Sequence, residues 1–147
     1  MLPTIRIIKS KEMRRVTEFM KAFEEASAFV TVDIDYATKT YETMIDNGNA
    51  IVMVLEKDNE LIGSLGFLIA PDIHNGITIA VETFWFSDPR KRGYGLLLLN
   101  AFEKYAQENK IKKVAMVHMM DSYPNRLENL YLKRGYKLME KHYIKEI

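Results

Sequence analysis

RKRGYGLLLLNAFEKYAQEN, residues 90–109, is the stretch from which the fold can be read. Three cations run into a Gly-x-Gly step, and the step opens onto a helical pattern that reaches about Asn109. A loop that leaves a strand and enters a helix leaves the first helical N–H groups without partners, pointing beyond the helix start. Glycine at 93 and 95 permits positive φ and close backbone approach, while Arg90, Lys91 and Arg92 add charge-assisted contacts, so phosphate suits the place. The plain alternative is a solvated basic turn capped by small residues. A Rossmann fingerprint does not fit, because position 98 is Leu where a third glycine belongs and the stretch follows the fourth predicted strand, not the first. A Walker A loop does not fit either, for want of Gly-Lys-Ser/Thr.

Upstream, Thr4 to Ile8 reads as a first strand, and Ser10 as an N-cap for a helix whose apolar face is Met13, Val16, Phe19, Met20 and Phe23. Asp33 or Asp35 caps a second helix carrying Tyr36, Tyr41, Met44 and Ile45, which Asn47 and Gly48 end. The period then changes to two: AIVMVLE, the turn KDNE and LIGSLGFLIA read as a hairpin, PDIHNG as the next turn, and ITIAVETFWF as a long fourth strand. Downstream come a fifth strand, KVAMVHMM, and a helix over NRLENLYLKR bracketed by Pro124 and Gly135. YKLMEKHYIKEI closes the chain with strand-like segments. The order implies an α/β (α+β) fold, one domain over residues 1–147, with a mixed central sheet flanked by helices on both faces.

The chain has 147 residues, 48% of them apolar, enough for one core. Its net charge of +1 argues against nucleic acid as a partner, and any basic patch must be local. The absence of cysteine excludes disulfides and thiolate chemistry. His74, His118 and His142 share no metal-ligand spacing, so no metal is expected. MLPTIRIIKSKEMRR has charge where a signal peptide needs apolar residues, and no apolar run approaches the roughly 18 residues of a membrane span, so a soluble cytoplasmic protein with no membrane partner is expected.

On these residues the chain resembles the GNAT superfamily of acyl-CoA-dependent N-acetyltransferases. Its signature at the end of the fourth strand, Arg/Gln-x-x-Gly-x-Gly/Ala, is matched by Arg90-Lys-Arg-Gly93-Tyr-Gly95 after an aromatic strand end and a Ser-Asp-Pro turn. A second family feature, a tyrosine three residues short of a Gly-aromatic pair, is matched by Tyr131-Leu-Lys-Arg-Gly135-Tyr136. The resemblance implies that the loop of Arg90, Lys91, Arg92, Gly93, Tyr94 and Gly95 binds the pyrophosphate of acetyl-CoA. It also implies a primary amine as acceptor, attacking directly in a ternary complex, with a homodimer left open.

The same resemblance assigns roles. Lysine-like amines have a pKa of about 10.4, so a proton must be accepted before attack. Glu82 is the candidate base, directly or through water. Strand alternation groups it with Thr78, Ala80, Phe84 and Phe86, opposite Ile77, Ile79 and Val81, and its plain alternative is a solvent-facing strand glutamate. Main-chain N–H groups at Trp85 and Phe86 are the candidates for the oxyanion and the pantetheine chain. Tyr131 is the candidate general acid, since a thiol pKa of about 8.5 lies below the phenol's of about 10. Asn125 stands one residue from the family's pantetheine-binding asparagine. His118 is either a proton-transfer assistant or a satisfied, partly buried histidine. Lys133 and Arg134 either reach CoA phosphates or form a solvated helix end. Glu24, Glu25, Asp33 and Asp35, in the region of the acceptor wall, either attract a cationic amine or cap helices. The alternative to an enzyme is a non-catalytic acyl-CoA-binding module of the same fold.

Overall fold

Period-two runs from Ala50 onward pair into an antiparallel meander, and the helices over residues 13–46 and 95–108 cover its two faces. The computed structural model of the chain describes residues 2–24, 31–91, 93–117 and 124–147. They form two compact units, residues 1–117 and residues 118–147. The first holds β1 (Thr4–Ile7), α1 (Met13–Ala22), α2 (Ile34–Asp46), β2 (Ala50–Lys57), β3 (Glu60–Pro71), β4 (Thr78–Ser87), α3 (Gly95–Glu108) and β5 (Lys113–Ala115). The sheet runs β1-β2-β3-β4-β5, antiparallel up to β4, with β5 parallel to β4. The second unit holds α4 (Pro124–Lys133), followed by Gly135 at φ +88°, the left-handed position that lets a helix end.

Local chemistry explains the boundaries. Asp58 and Asn59 both take positive φ, 53° and 64°, which is the two-residue turn whose twist matches a hairpin, and β2 and β3 flank it. Asp33 caps α2 by accepting the Tyr36 N–H at 3.0 Å. Ser10 caps no α-helix: Ser10–Glu12 form a 3-10 turn, and the Glu12 carboxylate accepts the Lys9 N–H at 2.9 Å. Two other expectations are corrected. β5 stops at Ala115 instead of running through Met116 and Val117, and the segment from Tyr136 to Ile147 is not strand. An extended sequence pattern becomes a strand only where a neighbouring edge takes its N–H and C=O groups, and no described pairing involves those residues.

Each face of the sheet has its own core. Phe67 stacks on Phe102 and Tyr105 of α3, ring centroids 4.6 and 5.5 Å apart, with Leu98 and Leu99 fully buried on the same helix. On the other face Val52, Val54 and Phe84 meet Met13, Val16 and Met20 of α1, with Ala37, Tyr41 and Ile45 of α2 packed against them. Burial of each such side chain contributes about 1.5–3 kcal/mol. Gly66 on β3 makes room for the Phe84 ring: a Cβ there would overlap it, with Phe84 Cδ1 at 3.0 Å and other ring atoms closer. Gly66→Ala is therefore expected to displace the ring, destabilise the fold by about 1–3 kcal/mol and lower Tm by roughly 3–10 °C in a thermal melt.

Candidate active site

Pairing between β4 and β5 lasts for three positions, Ile79↔Lys113, Ala80↔Val114 and Val81↔Ala115, and then stops. Glu82 is the first residue of β4 beyond the paired stretch, with no β5 partner among the described residues. The β3–β4 register also shifts there: Phe67 faces Glu82, Gly66 faces Phe84, and Thr83 is left over as a bulge. Cross-strand partners share a face, so Glu82 belongs to the row of Phe67, which packs on α3, while Phe84 belongs to the row of Gly66. The strict alternation that grouped Glu82 with Phe84 and Phe86 fails because the extra residue reverses the count. Glu82 is also not solvent-facing; it is 7% exposed.

Among the described residues no donor hydrogen-bonds the Glu82 carboxylate and no cation pairs with it. Burial alone pushes its pKa up to about 8. Tyr41 of α2 reaches the bulge from the face that carries Phe84. Its ring meets Phe84 edge-on at 5.5 Å, and its hydroxyl hydrogen-bonds Thr83 Oγ1, which itself donates to Gly66 O at 3.2 Å. Burial, with the Glu82 carboxylate adding to the effect, raises the Tyr41 phenol to about 12.

Beyond the bulge, Asp88 donates its N–H to Ile62 O at 2.8 Å. N–H groups alternate sides along an extended strand, so Phe86 turns its amide into the β3 ladder opposite Ser64, and Trp85 and Ser87 turn theirs away from β3. Of the two amides singled out from the sequence, Trp85's is the one facing the gap. The Trp85 indole Nε1–H donates to Gly95 O at 3.3 Å, tying the strand end to the start of α3.

The loop between them is built by Asp88. Its carboxylate, 3% exposed, accepts from Arg90 N at 2.9 Å and from the Arg90 guanidinium at 2.7 and 2.9 Å. Its carbonyl accepts from Lys91 N at 2.9 Å. The Arg90 guanidinium holds the Asp88 pKa below the usual carboxylate range. Lys91 Nζ pairs with Glu60 at 2.7 Å, and Lys57 Nζ stands 5.6 Å from the Tyr94 ring centre. Two of the three loop cations thus have carboxylate partners on the protein; Arg92 lies outside the described residues. The glycines have separate reasons. Gly93 sits at φ +93°, while Gly95 lies so close to β4 that a Cβ would stand 3.0 Å from Ser87 Oγ. Tyr94 precedes α3 without a side-chain cap, and the amides of Gly95 and Leu96 have no partner among the described residues.

In the second unit, Asn125 lies in the first turn of α4. Tyr131 lies in its last turns, with its ring 5.5 Å from Tyr136 and its carbonyl accepting from Tyr136 N at 3.0 Å. Lys133 ends the helix, and Arg134 and Gly135 form the turn after it. The acidic residues named for the acceptor wall have structural partners: Asp33 caps α2, Asp35 pairs with Arg14 at 2.8 Å, and Glu24 pairs with Lys21 at 2.9 Å. His118 and Glu25 lie outside the described residues. No group of three or more His, Asp or Glu among the described residues is arranged to hold a metal ion, and no described helix is long and apolar enough to cross a membrane.

Comparison with known proteins agrees with the fold. The model of the Acetyltransferase (GNAT) family matches residues 13–136. A predicted acetyltransferase from Clostridium acetobutylicum, crystallised with acetyl-CoA, superposes with a TM-score of 0.76 at 18% identity, covering 99% of this chain and 96% of that one. A ribosomal-protein-alanine N-acetyltransferase from Brucella melitensis biovar Abortus 2308 gives 0.72 at 15%, covering 98% and 99%. An aminoglycoside acetyltransferase from an uncultured soil metagenomic sample, in complex with trehalose, gives 0.75 at 15%, covering 99% and 97%. At these identities the likeness is one of fold. No curated protein matches the chain by sequence.

Proposed function

Because the chain belongs to the acetyltransferase (GNAT) family, we propose that it acts as one catalytic domain transferring an acetyl group from acetyl-CoA to a primary amine. The observation that carries this reading is Glu82: a buried carboxyl with no described partner, poised near pKa 8, at the point where β4 parts from β5. Such a group takes a proton from an ammonium, directly or through a water, which a carboxylate of ordinary pKa does poorly.

The donor's fit rests on main-chain groups. The amides of Gly95 and Leu96 at the start of α3, without a partner among the described residues, would receive the pyrophosphate, and Gly93 and Gly95 allow the backbone to approach it. The outward N–H of Trp85 would hold the pantetheine chain and the oxyanion that develops on the thioester carbonyl. The Asp88–Arg90 pair shapes the loop, and Lys91, Arg92 and Tyr94 are the candidates for further contacts to the phosphates. Phe86, whose amide faces the ladder, would contribute through its position beside that chain. Asn125 is the candidate for a further pantetheine contact. Tyr131 would donate the proton that the departing thiolate takes up. With no cysteine in the chain, acyl transfer through a cysteinyl enzyme is excluded, which favours direct attack by the amine. The cytoplasm, where acetyl-CoA is made and used, is the compartment this reading expects.

Thiol release from acetyl-CoA across a panel of small amines and peptide N-termini tests the reading. Turnover is expected with at least one class, and Tyr131→Phe is expected to lower kcat by about 10²-fold. Tight CoA binding with no turnover on any acceptor would favour the non-catalytic module. A folded protein that gives no calorimetric heat with CoA or acetyl-CoA would overturn both.

A further inference from the structure

Three irregularities of β4 coincide within three residues: the last pair with β5 at Val81, the carboxylate of Glu82 with no partner among the described residues, and the bulge at Thr83. A bulge in the middle of a sheet disrupts the ladder locally and needs something to hold it. Here the holding group comes from α2. Thr83 Oγ1 gives its proton to Gly66 O, so the Tyr41 hydroxyl is the donor in their shared bond, and the chain Tyr41 O–H to Thr83 to the β3 backbone crosses the bulge. The phenol's pKa of about 12 keeps it a donor at any working pH. Its ring, set against Phe84, leaves the hydroxyl little freedom to turn away.

We propose that Tyr41 positions the proposed general base: by donating to Thr83 it fixes the β4 bulge, and the bulge fixes where the Glu82 carboxylate points and keeps it dry. This rests on the reading of Glu82 as base. Tyr41 acts through the backbone of the neighbouring residue and moves no proton itself. Among the described residues no charged group contributes to the Glu82 shift, so access of water at the bulge is the lever on its protonation.

Tyr41→Phe removes one oxygen and keeps the ring, and Thr83→Val removes the other hydroxyl at nearly constant shape. Steady-state rates against pH, with an amine found in the panel above, are expected to give the same result for each. kcat falls about 10-fold, KM for acetyl-CoA stays within about 2-fold, and the midpoint of the rising, acidic limb moves down by about one pH unit as Glu82 hydrates. The double variant is expected to lose no more than either single one, because both break one link. Unchanged kcat and midpoint in both variants, or additive losses in the double, would overturn the proposal. A lowered Tm with an unmoved pH midpoint would also overturn it, leaving Tyr41 a packing residue. Full activity in Glu82→Gln would instead sink the base assignment on which the proposal stands, so the two failures are distinguishable.

Discussion

Glu82→Gln is expected to lose about 10²- to 10⁴-fold in kcat/KM while becoming the more stable protein in alkali. The two effects have one origin. In the folded chain Glu82 keeps its proton up to about pH 8, whereas the unfolded chain releases it near 4.5, the ordinary value for a glutamate. Between those values the folded state binds the extra proton, so the stability of the wild type falls as pH rises through that window. Glutamine does not titrate. At pH 4 the two proteins are expected to melt alike, and at pH 9 the variant is expected to gain on the order of a few kcal/mol. The same pKa makes the wild-type kcat/KM climb with pH to a plateau above about 8, since the base works only once deprotonated. Identical Tm-versus-pH curves for wild type and Gln would show that the carboxyl is not held neutral, and the account of the site would fail with it.

The second large effect is expected at Gly95. Valine there puts a branched Cβ where Ser87 Oγ stands 3.0 Å away and Trp85 Nε1 3.9 Å away, so the start of α3 must move off β4. The helix beyond it, anchored by Leu98, Leu99 and Phe102, has no reason to unfold. What moves is the pair of first-turn amides. Losing one charge-assisted bond of about 1.5–3 kcal/mol is expected to raise the Kd for CoA about 10- to 100-fold in titration calorimetry, with far-UV circular dichroism unchanged. An unaltered Kd would remove the helix start from the donor site.

Several of these features were legible in the residues alone. The use of glycine at 93 and 95 was readable, but not its division: Gly93 takes the positive φ, while Gly95 makes the close approach, to Ser87 of β4. The hairpin at Asp58 and Asn59 was readable because its turn chemistry is local, and so was a cap at Asp33 or Asp35, of which Asp33 is the one that caps. The face of Glu82 was not. It depends on one unpaired residue, Thr83, and nothing in VETFWF distinguishes a bulged strand from a regular one. Tyr41 fell on the apolar face of its helix by period, which is correct, but its hydroxyl partner is 42 positions away and belongs to another element. Arg90 was read as a phosphate ligand on charge, although an aspartate two residues earlier already offered it a bidentate partner. Charge states what a side chain attracts; only the fold decides which carboxylate is nearest.

The three rungs that join β5 to the sheet also set where the molecule breathes. β2, β3 and β4 are linked by short turns and zip through many antiparallel rungs, whereas β5 arrives parallel after a helical crossover and is gripped briefly at one edge. Hydrogen exchange should therefore be fastest along that edge, so the seam beside Glu82 unfastens while the meander stays closed.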